Sequence, residues 1–160
     1  MDVLRHIFII NPEAGKLDMS VKICNEIESV CSELGIEPLV FISEYKGYEQ
    51  EMTRKMCELF SNEEIRLYSV GGSGTLCRVV SGIIDFSTTQ VACCPVGLTN
   101  DMLKLYSKED RLKFRSIRNL VEGNVKKLDL MDVTGFDPID FASFGFGNSC
   151  FSESILFQLS

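Results

Sequence analysis

The chain has 160 residues, 45% of them hydrophobic and 24% charged, with 12 glycines against 4 prolines. That balance excludes a disordered, collagen-like or low-complexity chain and suits one domain of ordinary size, or a domain with the beginning of a second. A formal charge of −7 argues against nucleic acid as a partner, because a phosphate backbone rewards Lys and Arg.

The charge is unevenly spread. Residues 104–127 carry eight basic side chains and three acidic ones, so this window is a net +5 inside a chain whose remainder is −12. Such a surplus reads either as a solvated helix face or as a surface for an anionic membrane or a polyphosphate. Seven cysteines without a CxxC pair, and His6 as the single histidine, read as small core hydrophobes in a reducing cytoplasm and not as a zinc site. His6 flanks the first strand and reads as structural.

In chain order, His6 to Ile10 is a continuous apolar strand. It is too short for a signal peptide or a membrane span, and Asn11-Pro12 ends it. Ile23, Cys24, Ile27, Val30, Cys31 and Leu34 then mark one face of a helix that Gly35 stops. Leu39 to Ile42 is a second strand. A weaker helix after Gly47 is expected to turn Met52, Met56, Leu59 and Phe60 inward. Ile65 to Val70 is the third strand, followed by Gly71-Gly72-Ser73-Gly74-Thr75 and a helix striped by Leu76, Val79, Val80, Ile83 and Ile84. Val91 to Cys94 is the fourth strand, and helices are expected over Asn100 to Tyr106 and Asp110 to Glu122.

This β-α-β-α order predicts an α/β fold, an open, mostly parallel sheet with helices on both faces, over residues 1–123. Past Gly123 the texture changes. Val125 to Thr134 and Ile139 to Phe146 read as strands, and residues 124–160 are expected to open a second, β-rich domain that the sequence does not finish.

Parallel sheets bind ligands at the carboxyl ends of their strands. Three polar, glycine-bearing turns fall at such ends: Asn11 to Lys16, Gly71 to Thr75, and Pro95 to Asp101. In the middle turn three glycines in five residues let main-chain amides approach an anion, and the following helix adds its positive end. Ser73 and Thr75 bring hydroxyls to the same place. Asn100 suits the hydrogen-bonding edge of a sugar or base, while Asp101 suits a ribose hydroxyl or a metal. Lys16 suits a phosphate. Each turn taken alone is equally well a helix cap or a surface loop.

Together, Asn11-Pro12-x-Ala14-Gly15-Lys16, Gly71-Gly72-x-Gly74-Thr75 and Pro95-x-Gly97-x-x-Asn100-Asp101 resemble the catalytic domain of diacylglycerol kinases. Phe141-Ala142-Ser143-x-Gly145 resembles that family's entry into its second domain. Bacterial lipid kinases and sphingosine kinases are similar; NAD kinases and phosphofructokinases share the glycine-rich turn more distantly. The resemblance implies an ATP cleft between an α/β domain and a β-sandwich, with magnesium and transfer of the γ-phosphoryl of ATP to a lipid hydroxyl. It implies nucleotide contacts at Asn11, Lys16, Gly71, Gly72, Ser73, Gly74, Thr75, Gly97, Thr99, Asn100 and Asp101, and a metal contact at Asp101. It places the general base in the second domain.

Two residues depart from the family pattern. Ser73 stands where the family has aspartate, which removes a charge that could hold magnesium. Leu98 stands where it has threonine, which removes a phosphate contact. These departures leave open a degenerate nucleotide-binding module without catalysis, and a kinase of a soluble substrate such as NAD stays open beside it. The expected partners are ATP and a lipid alcohol such as diacylglycerol at a membrane surface, with self-association through the face left for a second domain. The expected place is the cytoplasm, with peripheral membrane association as an option.

Overall fold

The computed structural model describes residues 3–96, 100–130 and 153–159. The first four strands are β1 (Leu4–Ile10), β2 (Leu39–Ile42), β3 (Glu64–Gly71) and β4 (Thr89–Pro95), and they pair in parallel. They lie in the order β2-β1-β3-β4. Strands β1, β3 and β4 are buried along most of their length, as parallel strands covered on both faces must be. Strand β2 lies at the margin of the sheet, and Leu39, Val40 and Ile42 are part-exposed there.

Among the described residues the chain forms five helices. They are α1 (Ser20–Leu34), α2 (Tyr48–Leu59), α3 (Ser73–Ser81), α4 (Lys108–Lys113) and α5 (Ile117–Glu122). Helix α1 ends at Gly35, where φ is 67°. The Ile36 amide closes back on the Cys31 carbonyl at 2.8 Å, the geometry that a glycine without a Cβ permits. Helices α1 and α5 share one face: the Ile117 amide donates to Glu26 Oε1, and Arg118 pairs with Glu33. Helices α2 and α3 share the other. They approach so closely at Gly82 that a Cβ there would lie 2.4 Å from the Gln50 carbonyl oxygen.

The chain departs from expectation where local chemistry overrides periodicity. Leu59 is 67% exposed, whereas Met52, Met56 and Phe60 pack inward as expected, joined there by Tyr48, Glu49, Thr53 and Cys57. Ile84 falls beyond the end of α3 and is exposed. The single helix expected over 110–122 is two short ones. Ser107 and Ser116 each accept an amide as N-caps, from Asp110 and Asn119, and a serine that caps starts a new helix instead of continuing an old one. The helix expected over Asn100 to Tyr106 is a short 3-10 helix, Asp101–Leu105.

Two more strands, β5 (Asn124–Leu130) and β6 (Glu153–Leu159), continue the sheet beyond β4. β6 pairs in parallel with β4 at Gln90–Leu156 and Val91–Phe157, and β5 runs antiparallel to β6. The strand expected over Ile139 to Phe146, and the Phe141-to-Gly145 motif, lie outside the described residues.

Candidate functional site

Strand order fixes where a ligand crevice can open. From β1 the chain crosses through α1 to β2 on one side, then through α2 to β3 on the other side of β1. The reversal falls between β1 and β3, so the crevice lies beyond their carboxyl ends. The first two glycine-bearing turns meet there. The Asn11 amide donates to the Val70 carbonyl at 2.9 Å, and Asn11 Nδ2 donates to Thr75 Oγ1 at 3.1 Å. Asn11 Oδ1 accepts from the Glu13 amide at 3.0 Å, which holds its own turn in shape.

The glycine turn is shaped by close approach. A Cβ at Gly71 would lie 2.4 Å from Thr75 Oγ1, so glycine is needed for the buried threonine to sit over the strand end. Gly72 is the N-cap residue of α3 and no side chain caps the helix. The first intrahelical bond runs from the Leu76 amide to the Gly72 carbonyl at 3.1 Å. The amides of Ser73, Gly74 and Thr75 thus have no acceptor within the helix, and they stand at its positive end. A phosphate or carboxylate is the natural guest for such a set.

The third turn is tied to the second. The Asp101 amide donates to Ser73 Oγ at 2.9 Å, and the Val96 amide donates to the Gly71 carbonyl at 3.0 Å. Asn100 turns inward: its Nδ2 donates to Cys93 Sγ at 2.8 Å, and its Oδ1 is buried without a partner among the described residues. Burial raises the Cys93 thiol to about 12, with the Asn100 bond a smaller opposing effect, so this sulfur is an anchor and not a nucleophile. The structure therefore brings together Asn11, Gly71 to Thr75, Asn100 and Asp101. Lys16 is exposed in the β1–α1 loop, just past Gly15 with its φ of 85°, and is not bonded to the glycine turn. Gly97, Leu98 and Thr99 lie outside the described residues.

Magnesium binds through one or two carboxylates with water and substrate phosphates. Ser73 offers a neutral hydroxyl already engaged by the Asp101 amide, and Asp101 Oδ1 is held by Lys104 Nζ at 2.5 Å. Among the described residues no group of three or more His, Cys, Asp or Glu side chains is placed to hold a metal ion. No multi-carboxylate cage for magnesium is preformed among the described residues.

Comparison with known proteins shows the family of the chain and relatives of its fold. The profile of the diacylglycerol kinase catalytic domain matches residues 5–133, most of the chain. This protein belongs to that family. It is 28% identical over 100 residues to the Bacillus subtilis (strain 168) protein named "Putative lipid kinase YtlR", an alignment covering 62% of this chain and 32% of that one. Two solved structures from Bacillus anthracis str. Sterne, titled as a putative diacylglycerol kinase and as a diacylglycerol kinase, share the fold at a TM-score of 0.60 and 18% identity. Each match covers 79% of this chain, and 42% and 44% of theirs respectively. The chain thus spans about a third of the curated relative and less than half of the solved ones.

Sequence reasoning missed the ties between turns: Asn11 to Thr75, Ser73 to Asp101 and Asn100 to Cys93. Their signal was present as polar residues at the ends of apolar strands, but only the strand order says which ends are neighbours.

Proposed function

We propose that this chain is the nucleotide-binding part of an ATP-dependent lipid kinase, which moves the γ-phosphoryl of ATP to the hydroxyl of a lipid alcohol such as diacylglycerol. Three amides at the start of α3, over the β1–β3 switch point and without an acceptor among the described residues, carry the reading. They would hold the ATP phosphates, with Thr75 fixed by Asn11 behind them and Ser73 joining the turn to the segment that begins at Asp101. Phosphoryl transfer is chiefly positioning and electrostatic stabilisation, and preorganised amides supply both. The names of the relatives, a lipid kinase and diacylglycerol kinases, support a lipid alcohol over a soluble acceptor. Magnesium would arrive on the nucleotide's own phosphate oxygens. The residue that activates the lipid hydroxyl is expected outside the described residues.

The test is thermal unfolding with and without nucleotide. For a Kd about tenfold below the ATP concentration, binding adds about 1.4 kcal/mol, a rise of roughly 3–6 °C in Tm. Gly72→Val, which puts a branched side chain at the mouth of the amide set, is expected to abolish the rise. If ATP shifts neither protein, the reading is wrong.

A further inference from the structure

Arg78 lies in the second turn of α3, four residues after Gly74 and on the same face of the helix. Long helical side chains run back toward the N-terminus, and this one does. A Cβ built on Gly74 would stand 4.0 Å from Arg78 Nη2, so the guanidinium lies beside the first turn of α3, where the amides of Ser73 to Thr75 are found. Its ion-pair partner is Glu49, in the first turn of α2. Glu49 is 2% exposed, and the positive end of α2 favours its carboxylate. The close approach of Gly82 to Gln50, the next residue in α2, holds it against α3.

This buried pair is incompletely satisfied. Arg78 Nη1 stands 3.8 Å from Glu49 Oε1, close enough for an ion pair and too far for a hydrogen bond. Glu49 Oε2 and Arg78 Nε are both buried without a hydrogen-bond partner among the described residues. Buried charges are ordinarily paired and hydrogen-bonded in full. Here the carboxylate fixes where the guanidinium stands without consuming its donors. Nη1 is turned to Glu49 and Nη2 to Gly74, which is exposed, so one end of the planar fork is anchored and the other borders the amide set.

We propose that Arg78, positioned by Glu49, is a phosphate-binding residue: its guanidinium donates to the nucleotide tail beside the α3 amides and supplies a fixed positive charge there. The proposal rests on the nucleotide reading above and adds a consequence to it, that the tail binds without magnesium. Ser73 brings no negative charge to the turn, so a bare triphosphate meets amides and a guanidinium with no carboxylate at residue 73 to repel it. A guanidinium matches phosphate oxygens with paired donors, and charge-assisted hydrogen bonds of this kind are about twice as strong as neutral ones. Lys16, the cation singled out from the sequence, belongs to another loop and is not bonded to the glycine turn. Arg78 is the cation that the fold brings to the amides.

The experiment is equilibrium dialysis of the whole chain against ATP, once with EDTA and once with magnesium. The unaltered protein is expected to bind ATP in EDTA, and Arg78→Gln to weaken that binding about tenfold or more. With magnesium on the phosphates the loss should be smaller, because the metal already neutralises part of their charge. Arg78→Lys should recover part of the affinity. Arg78→Gln leaves Glu49 buried without its partner, so Glu49→Gln and the double variant are compared as well; the same loss between those two belongs to Arg78 alone. Arg118→Gln removes an equal charge on the α1–α5 face and should change nothing. Equal affinity with and without Arg78 in EDTA would overturn the proposal, as would an absolute need for magnesium in the unaltered protein. An equal loss of adenosine binding, which involves no phosphate, would reduce Arg78 to a packing role. Those three results leave the nucleotide reading standing. ATP bound in neither condition by the unaltered protein would remove that reading and the role of Arg78 with it.

Discussion

Strand β3 treats polar groups in two opposite ways along its length. In its first half, Arg66 and Tyr68 point to the α1–α5 face and are fully engaged. Arg66 Nε donates to Gln90 Oε1 at 2.6 Å and its Nη1 to the Val121 carbonyl at 2.8 Å. The Tyr68 hydroxyl meets His6 Nδ1 at 2.7 Å, and its ring stacks on Phe8 with centroids 4.0 Å apart. Just past its carboxyl end, the amides of Ser73 to Thr75 have no acceptor among the described residues. A buried polar group must be satisfied by the fold itself, while an edge can leave donors for a guest. The same strand therefore holds a structural polar cluster and a binding site, and satisfaction of hydrogen bonds tells them apart.

The sharpest break in that comparison comes from acid. Burial, with the nearby Arg66 charge as the lesser cause, lowers His6 to about 4 from an ordinary 6.5. Between those values the unfolded chain takes up a proton that the folded chain refuses, so stability falls as pH falls. The loss begins near pH 6.5, reaches about 2 kcal/mol by pH 5 and approaches roughly 3 kcal/mol at pH 4. Arg66 and Tyr68 face the imidazole, and burial raises the Tyr68 hydroxyl far above this range. Asp18, Asp85, Asp110 and Glu51 are held below their usual values by hydrogen bonds, so their contributions are lost in a lower window. Urea unfolding between pH 7 and pH 5 should show the slope, and His6→Phe should remove it whatever its baseline stability. A flat profile in the unaltered protein would show that His6 does not remain neutral in the fold.

A smaller effect is expected at the edge. Gly71→Ala places a methyl group 2.4–2.7 Å from Thr75 Oγ1 and Cβ, so the threonine must turn and release Asn11. Overpacking of this kind costs about 1–3 kcal/mol. The ATP-induced rise in Tm should shrink as well, because the first turn of α3 moves with Thr75. Gly74→Ala is the control: a Cβ there meets nothing nearer than 4.0 Å. If both variants keep the full rise, the packing of Thr75 has no part in shaping the amide set.

Much of this was legible in the residues. The four parallel strands, helices α1 to α3 and the three turns follow from apolar runs, helical periods and glycine placement, which are local signals. Leu59 was not, because the burial of a helix face depends on which strand lies beneath it. The break between α4 and α5 was hidden because Ser116 reads as well inside a helix as at its start. The site residues were legible as types: Asn11, Gly71 to Thr75 and Asn100 with Asp101 were all singled out. Their roles were not. Asn100 faces Cys93, and Asp101 is paired with Lys104. Both facts depend on contacts across turns that share no sequence period.

Ser73 is the residue at which the structural and binding roles meet, and substitutions there should separate them. Ser73→Ala removes the acceptor for the Asp101 amide and is expected to cost about 0.5–1 kcal/mol, as loss of an exposed cap does. The amides at the head of α3 remain, so ATP should still raise the Tm. Ser73→Asp restores an acceptor and places a negative charge at the helix N-terminus, worth about 0.3–1 kcal/mol in stability. That same carboxylate lies among the amides meant for phosphate. The ATP-induced rise in the presence of EDTA should therefore be smaller than in the unaltered protein, and magnesium should restore it by screening the two anions from each other. Stability and nucleotide response are thus expected to move in opposite directions in one variant. If they move together, the amides of Ser73 to Thr75 are an ordinary helix start, and an anion site must be sought elsewhere along the sheet edge.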